Sequence, residues 1–267
     1  MNTIGKVFKD EKAFELFLKT FNIKVNYQQD KVSLLKDILR AFSKIPYENI
    51  TKHDFYKKKF ISPYDIMRNF VLYGAGGTCF PLVYFLKRIL DFFGFNSFIA
   101  LADRTYASSS HCVVFVQIKD EIFLTDVGFS VFVPVKIEHP KTLINLPQGK
   151  LEFVIDGNKI DVFSVFDNGH RKFRYSTFLK PYSFDDFFSA WEKTYEFEMM
   201  NHIIIVKERS DELVYIRDNF VHFIKDGVSK NLKMSLDDVR KIVVSLGIEE
   251  KIFDRAVSNL GLKDKEI

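Results

Sequence analysis

Cys79 follows two glycines and a threonine and stands at the start of a strongly apolar helical segment. A thiol at a helix N-terminus has a lowered pKa, because the unpaired backbone N–H groups and the helix dipole favour the thiolate. The thiolate is the nucleophilic form of cysteine, and Gly76 and Gly77 let the backbone come close to a substrate. We therefore expect Cys79 to be a nucleophile.

His111 and Asp126 could complete a catalytic site with Cys79. His111 opens one predicted strand, Asp126 closes the next, and the residues between them form a tight hairpin. A two-residue loop would place Asp126 opposite Val113 or Phe115, on the same face as His111, whereas a three-residue loop would put the two on opposite faces. If the three side chains meet, they form a Cys-His-Asp triad for acyl transfer.

The other cysteine, Cys112, follows His111 directly and so points to the opposite face of the same strand. It cannot share that imidazole, and we interpret it as a packing residue. The two cysteines and the remaining histidines lack metal-ligand spacing, so no metal site is predicted. Phosphate-binding loops and dinucleotide fingerprints are also missing from the sequence, which argues against nucleotide-driven chemistry.

Composition indicates a globular protein with a sizeable core, since 47% of the 267 residues are hydrophobic and 30 are phenylalanine. The net charge of +4 is mild and does not indicate nucleic-acid binding, and the short run Lys57–Lys59 is predicted to be a solvated loop. The most apolar stretch, Phe80–Phe95, is interrupted by Lys87 and Arg88, so no membrane span is predicted. With no apolar signal region at the start, we expect a cytoplasmic protein.

Hydrophobic periodicity predicts three successive segments that differ in secondary structure. Up to Gly94 the pattern is helical, with one helix capped by Asp10, one starting at Ser62 and one starting near Cys79. Short strands with hairpin turns follow and suggest a barrel or a sandwich. From Ser183 onward a helix precedes a mixture of strands and helices.

Four motifs then fall in an order that resembles the arylamine N-acetyltransferases. They are Ile45–Ile50 (IPYENI), Gly76–Phe80 (GGTCF), His111 followed by an apolar strand, and Asp126–Phe129 (DVGF). The 15-residue step from His111 to Asp126 also matches that family, and the resemblance covers nearly the whole chain. It implies an α+β fold with a papain-like Cys-His-Asp triad.

The resemblance also implies three domains. Residues 1–94 would form a helical bundle carrying the nucleophile, and residues 95–182 an antiparallel β-barrel carrying the histidine and the aspartate. Residues 183–267 would form an interdomain helix and an α/β lid.

The resemblance further implies a ping-pong reaction in which acetyl-CoA acetylates Cys79, CoA leaves, and a small aromatic amine or hydrazine takes the acetyl group. His111 would be the base and Asp126 would orient it. The residues expected to bind substrate are Tyr47, Phe80, Gly128, Phe129 and Ser130. No metal, nucleic acid or membrane is implied, and the oligomeric state is left open.

The chain departs from the family pattern at Tyr47, where Phe is usual, and at four further positions. Ala75 stands where Arg is usual, Pro81 where Glu is usual, Val83 where Asn is usual and Ser130 where Gly is usual.

Arg at position 75 would normally face Glu48, so three readings of Glu48 are open. It could be a buried carboxylate without a partner, a carboxylate paired with Arg68 or Arg104, or a surface carboxylate at a helix end.

Two alternative functions also stay open. The same fold and triad serve amide synthases that act on other thioesters, and a catalytically silent relative would act as a binding protein.

Overall fold

A computed structural model describes residues 3–24, 29–54 and 60–262 of the chain, and the predicted loop Lys57–Lys59 lies outside these ranges. In the described residues the helices are α1 Thr3–Thr20, α2 Lys31–Phe42, α3 Ile50–Asp54, α4 Pro63–Tyr73, α5 Cys79–Phe92, α6 Phe184–Lys193, α7 Leu236–Ser245 and α8 Glu250–Asn259. The strands are β1 Tyr47–Glu48, β2 Asn96–Arg104, β3 Ala107–Ile118, β4 Glu121–Asp126, β5 Val131–Lys136, β6 Lys141–Leu146, β7 Gly149–Asp156, β8 Lys159–Val165, β9 Arg171–Phe178, β10 Ile204–Arg209, β11 Glu212–Arg217, β12 Phe220–Lys225 and β13 Val228–Lys233.

Local sequence signals define the helical part. Ser62 caps α4 through a reciprocal capping box with Asp65, and Pro63 occupies the first turn, where its missing N–H costs nothing. The predicted start of this helix is therefore confirmed. The prediction that Asp10 caps α1 is wrong, because α1 begins at Thr3 and Asp10 accepts a hydrogen bond from Arg88 at 2.9 Å in mid-helix.

Eight antiparallel strands form a nearly closed barrel in the order β5-β4-β3-β2-β9-β8-β7-β6. Its interior is filled by large buried side chains such as Phe115, Phe153 and Tyr175. The β3–β4 hairpin turns through two residues, since Ile118 pairs with Glu121. This is the loop length that brings His111 and Asp126 to one face of the sheet.

A second sheet, in the order β1-β10-β11-β12-β13, packs with α7 and α8 around its own apolar cluster. Four of its strands and both helices come from the C-terminal part of the chain, whereas β1 comes from the N-terminal part. Helical bundle, barrel and α/β lid agree with the predicted α+β class, which is confirmed. Among the described residues, no helix combines the length and the apolar character needed to span a membrane.

Candidate active site

Cys79 is the first residue of α5, and Thr78 is the N-cap residue in extended conformation. The N–H groups of Cys79 and Phe80 lack intrahelical acceptors and are available near the sulfur, whereas Pro81 has no N–H and Leu82 donates to the carbonyl of Thr78. The hydroxyl of Thr78 is buried and makes no hydrogen bond. Thr78 and Cys79 line the same small cavity. Only 8% of Cys79 is exposed, so the thiol is reached through this cavity.

His111 and Asp126 form a fully buried pair, with 2.8 Å between Nε2 of the imidazole and Oδ2 of the carboxylate. Asp126 follows the Val114–Thr125 pair in the β3–β4 register, and its other oxygen accepts the backbone N–H of Phe129 at 2.9 Å. The carboxylate therefore fixes Nε2 as the protonated nitrogen. Nδ1 is buried without a hydrogen-bond partner, which leaves it as the nitrogen available to the cysteine.

Gly128 lies between the side chains of Cys79 and His111. A Cβ atom placed on it would lie 2.5 Å from Cβ of Cys79 and 3.1 Å from Cε1 of His111. Heavy atoms in folded proteins do not approach this closely, so only glycine fits between the thiol and the imidazole. Cys79 and His111 thus lie on either side of Gly128, and the two-residue hairpin loop brings His111 to Asp126 as predicted.

The surroundings favour a charge-separated pair. Hydrogen bonding from the Cys112 thiol holds the pKa of Cys79 well below its ordinary value, and His111 and Arg104 add to this effect against the opposing effect of burial. Burial lowers the pKa of His111, but the charge of Asp126 and the hydrogen bond to its carboxylate outweigh this effect, so that the pKa is raised. A thiolate beside an imidazolium is therefore the favoured state.

Cys112 has a role that the strand-face argument missed. Its side chain does point away from His111, and it is fully buried in the apolar cluster that also holds Cys79. Helix α5 packs against β3, and this packing makes Cys112 the main cause of the lowered pKa of Cys79. Burial raises the pKa of Cys112 well above its ordinary value, and the hydrogen bond to Cys79 adds to this, so Cys112 stays a neutral donor. Only the placement of α5 could reveal this contact.

Two cations lie near the thiol in the same small cavity, Lys52 and Arg104. The Nζ atom of Lys52 donates to Oγ1 of Thr194 at 3.2 Å and lies 4.0 Å from the centre of the Tyr195 ring. Burial lowers the pKa of Lys52 to about 8, and the negative charge of Cys79 partly opposes this. Sequence reasoning had no signal for Lys52.

Glu48 is fully buried and finds its partners in the backbone and in a neighbouring hydroxyl. It accepts hydrogen bonds from the N–H and hydroxyl of Thr51 and, at 3.1 Å, from the N–H of Gly76. The expectations of a surface carboxylate or an arginine partner are therefore wrong. Burial raises the pKa of Glu48, and Ala75 packs into the core of the lid.

Four of the residues predicted to bind substrate, Tyr47, Gly128, Phe129 and Ser130, line a cavity of about 460 Å³ between the barrel and the lid. Phe80 lies elsewhere. It is fully buried, and its ring packs against Phe187 at 5.2 Å between centroids.

Buried sulfur, imidazole and carboxylate in this order can transfer an acyl group through a thioester. Among the side chains that the structure describes, no group of three or more His, Cys, Asp or Glu could hold a metal ion.

Comparisons with known proteins place the chain in a family. A family model described as N-acetyltransferase matches residues 31–243. The chain therefore belongs to the N-acetyltransferase family and is an acetyltransferase enzyme, and the predicted resemblance is confirmed. No curated protein matches the chain.

Solved structures agree on the fold. The arylamine N-acetyltransferase from Mycobacterium abscessus is 16% identical with a TM-score of 0.81, covering 95% of this chain and 96% of that one. The Salmonella typhimurium enzyme of the same name is 14% identical with a TM-score of 0.78, covering 92% and 98%. An arylamine N-acetyltransferase from Bacillus cereus, described as having a unique Cys-His-Glu catalytic triad, is 18% identical with a TM-score of 0.71, covering 89% and 98%.

Proposed function

We propose that this protein is an acetyl-CoA-dependent arylamine N-acetyltransferase that works by a ping-pong mechanism through Cys79. The observation that carries the proposal is the buried His111–Asp126 pair, whose free Nδ1 serves a cysteine with a strongly lowered pKa. Cys79 is the nucleophile, His111 the general acid and base, and Asp126 the group that fixes the tautomer.

In the first half-reaction the thiolate of Cys79 attacks the thioester carbon of acetyl-CoA. The C–S bond to CoA then breaks, and the leaving sulfur takes the proton from the His111 imidazolium. One thioester replaces another, so this exchange is nearly thermoneutral. The first-turn N–H groups of α5 and the unpaired hydroxyl of Thr78 are placed to stabilise the oxyanion.

In the second half-reaction the nitrogen of an aromatic amine or hydrazine attacks the acetyl-cysteine. His111, now neutral, takes the proton from the nitrogen, and the C–S bond breaks to release the Cys79 thiolate and the amide. An arylamine is largely neutral at pH 7, so it can attack without first losing a proton. Tyr47, Gly128, Phe129 and Ser130 are proposed to contact the acceptor, because they line the 460 Å³ cavity. The buried position of Phe80 favours a packing role instead.

The residues present fit CoA as a co-substrate, since the donor's thioester needs only the thiolate and the oxyanion donors at Cys79. No step of this mechanism requires a metal. We place the enzyme in the reducing cytoplasm, where the thiol of Cys79 stays usable. The domain boundaries 1–94, 95–182 and 183–267 remain part of the proposal.

Intact-mass measurement after incubation with acetyl-CoA alone tests this function. We expect one acetyl increment that is lost in Cys79→Ala, kept in Cys112→Ala, and discharged by an arylamine. Acylation by other thioesters but not by acetyl-CoA would favour the amide synthase. Failure to form any adduct, with no thiol release, would favour a binding protein.

A further inference from the structure

Lys52 is a buried lysine that the proposed mechanism does not use. Only 4% of it is exposed, and its Nζ atom donates a hydrogen bond to Oγ1 of Thr194 at 3.2 Å. Lys52, Thr194 and Cys79 all line the small cavity, so the amine nitrogen is hydrogen-bonded at the wall of the space beside the thiol. Because lysine is seldom buried to this degree in proteins, its presence next to a nucleophile calls for an explanation.

The small cavity is also the space that an acetyl group on Cys79 has to occupy. Its volume is about 20 Å³, which is room for one or two water-sized groups. The larger cavity of about 460 Å³ is not lined by Cys79. An acetyl group bonded to the sulfur therefore extends into the small cavity and lies against its walls, one of which is Lys52.

Acetylation of Cys79 makes Lys52 a better nucleophile. Burial lowers the pKa of Lys52 to about 8, and the negative charge of Cys79 partly opposes this effect. A thioester is neutral, so the opposing effect disappears when Cys79 is acetylated and the pKa of Lys52 falls further. At pH 8 about half of Lys52 or more is then a neutral amine, against roughly 0.4% of an ordinary lysine.

We propose that Lys52 is a site of self-acetylation, which takes the acetyl group from Cys79 when no acceptor amine is present. This inference rests on the proposed function, because it starts from the acetyl-cysteine. Lys52 is buried, so acetyl donors in solution do not reach it directly, and the acetyl group arrives through the cavity that the lysine shares with Cys79.

The transfer is a shift of the acetyl group from sulfur to nitrogen. The neutral nitrogen of Lys52 attacks the thioester carbon, an N–C bond forms, and the C–S bond breaks to release the thiolate of Cys79. The proton lost by the nitrogen goes to neutral His111, which restores the thiolate–imidazolium pair. Both reactants belong to one cavity, so the step is effectively unimolecular. An amide is more stable than a thioester, and the transfer is therefore not reversed.

Self-acetylation would inactivate the enzyme. The neutral acetyl-lysine occupies the space that the next acetyl group on Cys79 needs, and a cation is lost from the surroundings of the thiolate. The step therefore takes place once in each molecule. An arylamine protects the enzyme, because it removes the acetyl group from Cys79 before Lys52 can accept it.

Peptide mass mapping tests the inference on the full chain. The protein is incubated with acetyl-CoA without an acceptor and then treated with hydroxylamine, which cleaves thioesters and leaves amides intact. We expect a hydroxylamine-stable acetyl group on Lys52 in the wild type and none in Cys79→Ala.

Lys207 is the matched internal control. Burial lowers its pKa too, and its Nζ atom donates to the carbonyl of Leu246 at 2.7 Å, but it lines neither cavity. It should therefore stay unmodified in the same sample.

A variant links the modification to activity. Lys52→Met has a side chain of similar length without a nucleophile. During preincubation with acetyl-CoA alone, the wild type should progressively lose its rate of arylamine acetylation, whereas Lys52→Met should keep its own starting rate. The peptide map of the wild type decides the question without the variant if Lys52→Met does not fold.

Separate results distinguish failure of the inference from failure of the proposed function. A hydroxylamine-labile acetyl group on Cys79 with none on Lys52 would overturn the inference and leave the proposed function intact. Equal acetylation of Lys52 in the wild type and in Cys79→Ala, or of Lys52 and Lys207, would also overturn it, since the donor would then act directly.

If acetyl-CoA leaves Cys79 unmodified, the proposed function fails. The thiol is then loaded with 4-nitrophenyl acetate, and the same peptide map decides whether Lys52 accepts the acetyl group. If neither reagent acetylates Cys79, the proposed function and the inference are both refuted.

Discussion

A single proton position decides what the buried His111–Asp126 pair can do. Oδ1 of Asp126 accepts the N–H of Phe129, and Oδ2 accepts Nε2–H of His111, so the carboxylate serves two donors. Nδ1 has no hydrogen-bond partner, and in the proposed mechanism it exchanges a proton with Cys79 and with the substrate. The chemistry of the site therefore depends on Asp126 being an acceptor only.

Asp126→Asn tests that dependence. The asparagine oxygen can still accept the N–H of Phe129, but its NH₂ group then faces Nε2, which forces the proton onto Nδ1. We expect the rate of Cys79 acetylation to fall by about 10³- to 10⁴-fold with little change in Tm, measured by rapid-quench mass spectrometry and thermal unfolding. Activity close to that of the wild type would rule out the tautomer argument.

The pH dependence of alkylation follows from the direction of two pKa shifts. The pKa of Cys79 is lowered by Cys112, His111 and Arg104, so its thiolate persists as the pH falls below that of an ordinary thiol, about 8.5. We expect the iodoacetamide rate at Cys79 to have a midpoint well below that value, and Cys112 to react far more slowly. The rate of acyl transfer should also fall at high pH, because His111 loses its proton once the pH rises above its raised pKa. A single alkylation midpoint near 8.5 would contradict the ion pair.

Cys112 offers a matched pair of substitutions. Cys112→Ala removes the hydrogen bond to the thiolate, so the alkylation midpoint of Cys79 should move up toward that of an ordinary thiol. Cys112→Ser keeps a donor in the same place and should hold the midpoint low. If the alkylation midpoint of Cys79 is the same in both variants, the thiol of Cys112 contributes packing only.

At the scale of elements, a short 3-10 turn, Val127–Phe129, sets the spacing between α5 and β3. Gly128→Ala would place a Cβ against both Cys79 and His111 and push them apart. We expect kcat/KM to fall about 100-fold, as for a misplacement of roughly 1 Å. Gly157→Ala is the control, because that turn is strained by a φ of +57° but open to solvent. It should lose stability and keep its activity, and equal activity losses would point to stability alone.

Elements with a local signal are the ones that the sequence predicts well. The capping box at Ser62 and Asp65 marks the start of α4, and a two-residue turn sets the β3–β4 register that joins His111 to Asp126. The strands β1 and β13 escape prediction, because the first has two residues and the second is almost entirely exposed.

Features that depend on tertiary packing cannot be predicted in this way. Cys112 meets Cys79 only because α5 lies on its face of β3, and Arg104 and Arg174 meet only when β2 pairs with β9. Glu48 accepts a hydrogen bond from the backbone N–H of Gly76, and a backbone partner of this kind cannot be recognised from residue types. The core of the site is thus readable from motifs, whereas its electrostatic surroundings are not.

At the scale of the whole molecule, Asn49 joins the N-terminal part to the lid. Its fully buried side chain donates to the carbonyl groups of Met199 and His202, at 3.3 Å and 2.8 Å, and accepts the N–H of Ile204 at 2.8 Å. Since each lost partner leaves a buried polar group unsatisfied, this amide stabilises the junction together with the pairing of β1 and β10.

Asn49→Ala should lower the free energy of unfolding by about 2–4 kcal/mol, measured in urea. Hydrogen exchange at the amide of Ile204 should accelerate in the same variant. Asn158→Ala, in an exposed turn, should change neither quantity. A loss of less than about 0.5 kcal/mol in Asn49→Ala would mean that other contacts hold the lid in place.

Strand β1 is only two residues long, yet it is bonded on both sides. Tyr47 bridges to Gly77, two residues before the nucleophile, and also pairs with Val206 of β10. The loop that precedes Cys79 is therefore linked through β1 to the C-terminal sheet. An outward movement of this sheet would also displace the sulfur of Cys79. We therefore expect the width of the cavity between the Phe129 turn and the strands β11 and β12, rather than a hinge, to limit the size of the ligands that this site accepts.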